Sequence, residues 1–382
     1  MRFQLLLVGG GLQNALIALA VLRKDPQASV AVVERDGRLG GNHTWSFHAA
    51  DVAPGLSGVM EELVAHTWPA HTVAFPGSSR TLERPYATVR STRLHEVLSA
   101  RLQAGPGARM LLGTTISRLE PGAAHTVGGQ RIEAEQIVDS RGPPAGATTG
   151  AFQKFLGLEL ELATPWDSAL PCLMDARVEQ RDGFRFVYTL PFARHRLLVE
   201  DTEYSTTSRI DAERSRADIL SYVEARGVRV ASVLGEEQGA LPLPFEPFVP
   251  STTGVLRGGY GGGWFHPATG YSFPAAARLA EAIARAWPEA PSPRALAEVS
   301  TALGEQIRFF TLLNRLLFEA CAPAQRWRVL ERFHHLPPRT IERFYAMRTT
   351  RLDRARILLG RPPAGVSLGR ALTALRPSRG VP

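Results

Sequence analysis

Cysteine is almost missing: Cys172 and Cys321 are the only two in 382 residues, and they lie far apart. They build no disulfide framework and no metal-ligand spacing, so no metal is expected, and the pattern suits a reducing compartment. Lysine is as scarce. Lys24 and Lys154 stand alone among 44 basic residues, and arginine supplies the rest. Long hydrophobic runs are missing too. Leu5 to Leu22, behind Arg2, comes closest, but Gly9, Gly10, Gly11, Gln13 and Asn14 interrupt it and no small-residue cleavage site follows. It is therefore neither a signal peptide nor a membrane span. There is no GxxxxGK[ST] loop, no nucleophile elbow, no zinc-type cluster, no internal repeat and no low-complexity tract. No groove-reading motif or aromatic–basic interleaving appears, which argues against nucleic acid as a partner.

What is present is a globular composition, 44% hydrophobic and 21% charged, at a length that suits two or three domains or one large α/β unit with an insertion. Order is expected everywhere except the tail ALRPSRGVP. The net charge of +8 is unevenly placed. From Arg326 to Pro382 thirteen arginines face only Glu331, Glu342 and Asp353, so this segment favours anionic surfaces.

Phe3 to Val8 reads as a buried strand, Leu12 to Arg23 as an amphipathic helix and Ser29 to Glu34 as a second strand: a βαβ unit. Ser91 to Gln103 reads as a helix, followed by short strands near Met110 and Ile132 and another at Ile137 to Asp139. Consecutive strands are expected over Cys172–Glu179, Phe184–Leu190 and Arg196–Thr202. Period-two alternation places Phe184, Phe186, Tyr188 and Leu190 on one face. This predicts an antiparallel sheet inserted into a nucleotide-binding domain. Ser208 to Arg226 reads as a helix, Pro274 opens another, and Glu305 to Leu359 reads as a run of arginine-faced helices. His334-His335 reads as solvated surface.

The chemistry concentrates in four places. In Val8-Gly9-Gly10-Gly11-Leu12-Gln13-Asn14, Gly9 makes the tight turn and Gly11 lets a pyrophosphate approach the backbone. The helix behind offers its amides and dipole. Asn14 replaces the third glycine, and Glu34, ending the second strand, stands where a carboxylate holds the adenosine ribose. Arg38-Leu39-Gly40-Gly41-Asn42-His43 follows; a basic residue and a glycine pair soon after the ribose acid favour FAD over NAD. Third, Phe265 to Ser272 carries His266 and Gly270 into a helix, placing amides and dipole against a flavin's pyrimidine edge. His266 fits a catalytic role and a loop histidine bonded to backbone equally well. Fourth, Glu200-Asp201 ends an apolar strand. A carboxyl in apolar surroundings stays protonated as a general acid, but a strand-end acid paired with Arg194 or Arg196 fits the spacing as well. The aromatic stripe of Phe184 to Tyr188 serves as core or as substrate wall. Asn14, Arg35, Asn42, Arg90, Asp139, Tyr271 and Ser272 complete the candidate cofactor set.

Across nearly its whole length the chain resembles the bacterial lycopene β-cyclases, flavoproteins of carotenoid synthesis. The resemblance rests on VGGGLQNALIAL, GGNHTWSFH, FQKFLGLEL, LMDARVEQRDGFRFVYTLP, LLVEDTEYS, FHPATGYSFP, LLNRLLFEA and RFYAMRTTRLDRARILLGRPP. It implies an α/β fold like the aromatic-hydroxylase flavoproteins, with a Rossmann-type FAD domain over 1–150 and 251–304. An antiparallel-sheet substrate domain would occupy 151–250 and membrane-facing helices 305–382. It implies redox-neutral closure of lycopene ends to β-ionone rings with reduced FAD, NAD(P)H as electron source, and a cytoplasmic, peripherally membrane-associated enzyme. Within it, Glu200 matches the acid of the family's (I/V)EDT motif and Asp201 its neighbour, while Gly9, Gly11, Glu34, Gly40, Gly41, His266 and Gly270 match flavin motifs. Phe184, Phe186, Tyr188, Trp264 and Phe265 are candidate pocket walls. Ala268, Phe273 and Ser140 depart from the usual threonine, leucine and glycine. A flavin monooxygenase or polyene reductase on the same fold is the alternative.

Overall fold

Residues 1–142, 150–181, 183–250, 255–360 and 362–375 are described by the structure, a computed structural model. The expected tail beyond 375 and the expected boundary at 251 lie outside these residues.

The first sheet grows around Arg2–Val8, whose Leu5, Leu6 and Leu7 have no exposed surface. A strand covered on both faces reads as an uninterrupted apolar run, the mark of a parallel sheet. It pairs in parallel with Val30–Val33 on one side and Arg131–Asp139 on the other. Arg109–Leu111 extends the sheet beyond Val30–Val33, and Ile116–Glu120 and Ala123–Thr126 extend the opposite edge in antiparallel fashion. The segments expected as two short strands near Ile132 and Ile137 form one, Arg131–Asp139. The helices Leu12–Lys24 and Phe273–Ala286 pack together over this sheet, so chain from both ends of the sequence closes one core.

The second sheet has seven strands in the order Val230–Pro244, Gly150–Leu162, Arg196–Ser205, Phe184–Ala193, Cys172–Asp175, His71–Phe75, Ser78–Leu82. Its pairings are antiparallel except where Cys172–Asp175 meets His71–Phe75. Two of its strands thus come from the segment assigned to the nucleotide domain, so residues 151–250 do not build it alone. The alternation expected over Phe184 to Leu190 is present: Phe184, Phe186 and Leu190 share one apolar cluster with Leu198 and Tyr204, against which Tyr188 packs. The opposite face, with Leu197, Val199 and Val187, buries Ile219 and Val223 of the helix Ala212–Glu224. A small sheet of Thr44–His48, Tyr86–Arg90 and His66–Trp68 bridges the two large ones.

The helical region starts earlier than expected. Pro293–Ala320 is one 28-residue helix, capped by the Ser292 side chain, and it runs through the proposed boundary at 304. It carries its own apolar face (Leu303, Ile307, Phe310) into the core, which leaves no hinge there. His334 is also not solvated surface: it is 3% exposed, between Phe75 and Phe333. Among the described residues no helix is long and apolar enough to cross a membrane.

Candidate active site

A cavity of about 250 Å³ lies between the large antiparallel sheet and the small three-stranded one. Its walls come from His43 to His48, from Thr269 to Phe273 and from the central strands of the large antiparallel sheet. Period-two geometry decides what enters it. On Arg196–Ser205 the side chains of Glu200, Thr202 and Tyr204 line the cavity. Asp201 points the other way.

Burial first, and then the neighbouring carboxyl of Glu237, push the Glu200 pKa well above the ordinary carboxylic range. The surface Glu200 keeps is turned into the cavity, and among the described residues no cation pairs with it. Arg196, expected as a partner, instead holds Glu159 at 2.5 Å. Beside Glu200 on the next strand, the Tyr188 hydroxyl donates to Ser46 Oγ at 2.8 Å and lies 3.2 Å from that of Tyr86. Phe155, Phe186, Trp45 and Phe273 add ring faces, and Phe273 stacks on Phe47 at 4.2 Å. Of the expected wall residues, Phe186 and Tyr188 line the cavity. Phe184, Trp264 and Phe265 are packed into the interior, with Trp264 Nε1 donating to the Arg257 carbonyl at 2.8 Å.

Asp201 and His266, the other two catalytic candidates, are elsewhere. Asp201 accepts from Arg185 Nε at 2.7 Å and from Ser215 Oγ at 3.0 Å beneath the helix Ala212–Glu224. It is a brace for that helix. Asp201→Asn is therefore expected to cost about 1.5–3 kcal/mol in urea unfolding, Asp218 at 3.2 Å still holding Arg185, while the folded protein keeps its turnover. A stable but inactive variant would contradict this placement. His266 is fully buried and stacked on Phe310 at 3.9 Å. Its Nδ1 accepts from Ala268 N at 3.1 Å and its Nε2 faces the Phe344 carbonyl at 3.0 Å, so the neutral ring fits both partners. Burial lowers its pKa to about 3. It braces the turn that ends at Gly270, whose φ of +68° and whose 2.4 Å approach of a hypothetical Cβ to Leu241 admit only glycine. Thr269, Gly270, Tyr271 and Ser272 reach the cavity at the start of the helix Phe273–Ala286, whose first amides and dipole face that end. The Tyr271 hydroxyl is anchored at 2.6 Å on Asp51, a buried carboxyl pushed up to about 6 by its burial.

The dinucleotide candidates form a separate cradle. Gly9 adopts φ +101°, and a Cβ on Gly11 would meet nothing within 4 Å. Glu34 Oε2 accepts from Gly10 N at 2.6 Å, fixing the carboxylate at the end of its strand. Asn14 donates to the carbonyls of Val8 and Gly9 and accepts from Ser140 Oγ at 2.8 Å, so it shapes the turn from behind. That bond gives Ser140 a use where glycine is usual. Gly40 and Gly41 both have positive φ, and Gly40 N donates to the Gly10 carbonyl at 2.9 Å, carrying the second motif past the first. Asn42 donates to the Glu236 carbonyl at 2.9 Å. Asp139 ends its strand at the cradle but is held by Arg141 at 2.8 Å. Arg35 is exposed beside Asp36, and Arg90 pairs with Glu159 over the Phe192 ring. The open space at Gly11, the glycine backbone around it and the fixed Glu34 fit a dinucleotide's pyrophosphate and ribose.

Glu237 was not anticipated. It is 6% exposed, in contact with Glu200, and raised in pKa by its burial.

The fold is that of the Rossmann-type flavoprotein hydroxylases. A probable FAD-dependent monooxygenase from Pseudomonas aeruginosa superposes with TM-score 0.61 at 14% identity, over 87% of this chain and 100% of that one. The sequence narrows the class, because residues 4–371 match the model of the lycopene cyclase protein family. The chain is 40% identical to a lycopene beta-cyclase from Pseudescherichia vulneris over 97% of its length and 96% of that protein. It is 37% identical to one from Pantoea ananas, over 96% of each chain. The chain belongs to the lycopene cyclase family.

Proposed function

We propose that this chain is a lycopene β-cyclase that binds FAD in the Gly9–Gly11 cradle and closes rings by proton-initiated, redox-neutral chemistry. The observation that carries the reading is Glu200, a carboxyl held in its acid form at the wall of an aromatic cavity. Glu200 gives its proton to the terminal alkene of an acyclic carotene, leaving a tertiary cation. The neighbouring alkene closes the ring, and loss of one proton from the ring restores neutrality. The aromatic faces of Trp45, Phe186 and Tyr188 favour the passing cation. When bound, reduced FAD would supply negative charge that favours a cationic intermediate. Reaction in deuterated water is expected to add one deuterium per ring with no stoichiometric NADPH consumption. A product heavier by oxygen or by two hydrogens would favour the monooxygenase or reductase reading instead.

The substrate dissolves in membranes, and a second cavity supports a peripheral membrane site. It holds about 370 Å³, has mostly apolar walls and shares Met174, Tyr204, Thr269 and Tyr345 with the first. It lies among the C-terminal helices, where Leu359, Leu368 and Leu372 are 69%, 65% and 66% exposed. Arg332 and Arg356 line it. Exposed leucines in an arginine-rich segment suit an anionic bilayer interface. Sedimentation with anionic vesicles is expected to fall with salt and with Leu368→Asp/Leu372→Asp. Equal binding to neutral and anionic vesicles at all salt concentrations would remove this account.

A further inference from the structure

We propose that Glu237 is a positioning residue that keeps the proton on Glu200, the two carboxyl groups sharing one proton across Gly157. The proposal deepens the reading of Glu200 as the acid and rests on it.

The geometry is set by strand register. Gly157, midway along Gly150–Leu162, is the register partner of Glu200 on one neighbouring strand and of Glu237 on the other. Two side chains flanking a central strand are normally kept apart by the residue between them. Here that residue has no side chain. A Cβ on Gly157 would lie 2.8 Å from Glu200 Cγ and 3.2 Å from Glu237 Cγ. Both carboxyls therefore lean into the gap that the glycine leaves, and they meet in a hydrogen bond. Two carboxyls in hydrogen-bond contact and away from water cannot both ionise, so one proton stays with the pair.

The surroundings say which partner keeps it. Thr44 and Arg90 both favour the charged form of Glu237. Arg90 itself is paired with Glu159, two residues beyond Gly157. Glu200 faces the hydroxyls of Tyr188 and Tyr86, both kept protonated by burial, and His43 across the cavity is lowered in pKa by burial. Anion-stabilising groups thus gather on Glu237 and none on Glu200. Glu237 is the carboxylate, Glu200 is the acid, and the acid lies at the cavity wall. The reaction takes one proton from Glu200, and the ring gives one proton back to the Glu200 carboxylate, so the pair returns to the same charge after each turnover.

The test is the pH dependence of lycopene conversion in liposomes under reducing conditions, for wild type, Glu237→Gln, Glu237→Asp and Gly157→Ala. Bound flavin and thermal midpoint report whether each variant is folded. Without the Glu237 charge, Glu200 loses its proton more readily. The alkaline limb of Glu237→Gln is expected about one pH unit lower, with turnover about tenfold down above the limb and near wild type below it. Glu237→Asp keeps the charge one methylene short of contact and should move the limb by less. Gly157→Ala, which forces the carboxyls apart, should move it in the direction of Glu237→Gln. A uniform loss at every pH, an unmoved limb or a limb displaced upward in Glu237→Gln overturns the proposal. Wild-type protein that leaves lycopene unchanged would instead defeat the cyclase reading, so the two failures are distinguishable.

Discussion

Glu200→Gln is expected to lower turnover by about two to four orders of magnitude, with flavin content unchanged. Glutamine keeps the volume and the hydrogen bond to Glu237 but has no titrating proton. The residue lies outside the Gly9–Gly11 cradle, which would hold the pyrophosphate. A second readout follows from its raised pKa. Above the ordinary carboxyl pKa the unfolded chain has released this proton while the folded chain retains it. Wild-type stability therefore falls as pH climbs from that value toward the raised one, and is not regained above it. The variant lacks this contribution, so its stability relative to wild type should increase across that window. Urea unfolding at several pH values measures the difference. Near-wild-type turnover in Glu200→Gln would place the proton donor elsewhere in the site, and an unchanged pH dependence of stability would contradict the protonated carboxyl itself.

The parts of the molecule legible in sequence are those where one local rule acts alone. The βαβ unit was readable because Leu5 to Val8 is apolar without interruption, Gly9 breaks it and Glu34 closes the next strand. The shared face of Phe186 and Tyr188 was readable from alternation, but not that it lines a cavity or that Glu200 joins it, because alternation does not tell core from cavity wall. That same rule separates Glu200 from Asp201, since adjacent strand residues point to opposite faces; the helix Ala212–Glu224, which claims Asp201, was visible as a helix but not as its cover. Glu237 was hidden for a different reason. Its 15-residue strand shifts register against Gly150–Leu162 at two points and exposes Val233 and Leu234, so its alternation breaks before the site. The partnership across Gly157 exists only once three strands distant in sequence lie side by side. His266 and His334 show the same limit: a histidine beside arginines or in a turn carries no sequence mark of the aromatic rings that bury it. The helix Pro293–Ala320 runs through 304, so no change of element marks that position.

Gly11→Val is expected to yield folded, colourless and inactive protein. Gly11 precedes the helix Leu12–Lys24 with φ −79° and ψ −179°, extended backbone that valine adopts readily. Its hypothetical Cβ meets no protein atom within 4 Å, so the side chain displaces nothing in the chain itself. The thermal midpoint of the flavin-free protein should therefore stay close to that of flavin-free wild type. The neighbouring glycines behave differently. A side chain on Gly10 would strike Leu39 at 2.6 Å, and on Gly9 it would be strained by φ +101°, so those substitutions should damage folding itself. In the dinucleotide reading, the open volume at Gly11 is where the pyrophosphate meets the first helical amides, and valine fills it. Flavin released by denaturation, measured per chain, should drop from near one to background in Gly11→Val. Added FAD should raise the melting temperature of wild-type apoprotein but not of the variant, because a ligand stabilises only the fold that binds it. A fully flavinated Gly11→Val would remove the cradle assignment, and an unfolded one would mean that the open space is needed by the chain rather than by the cofactor.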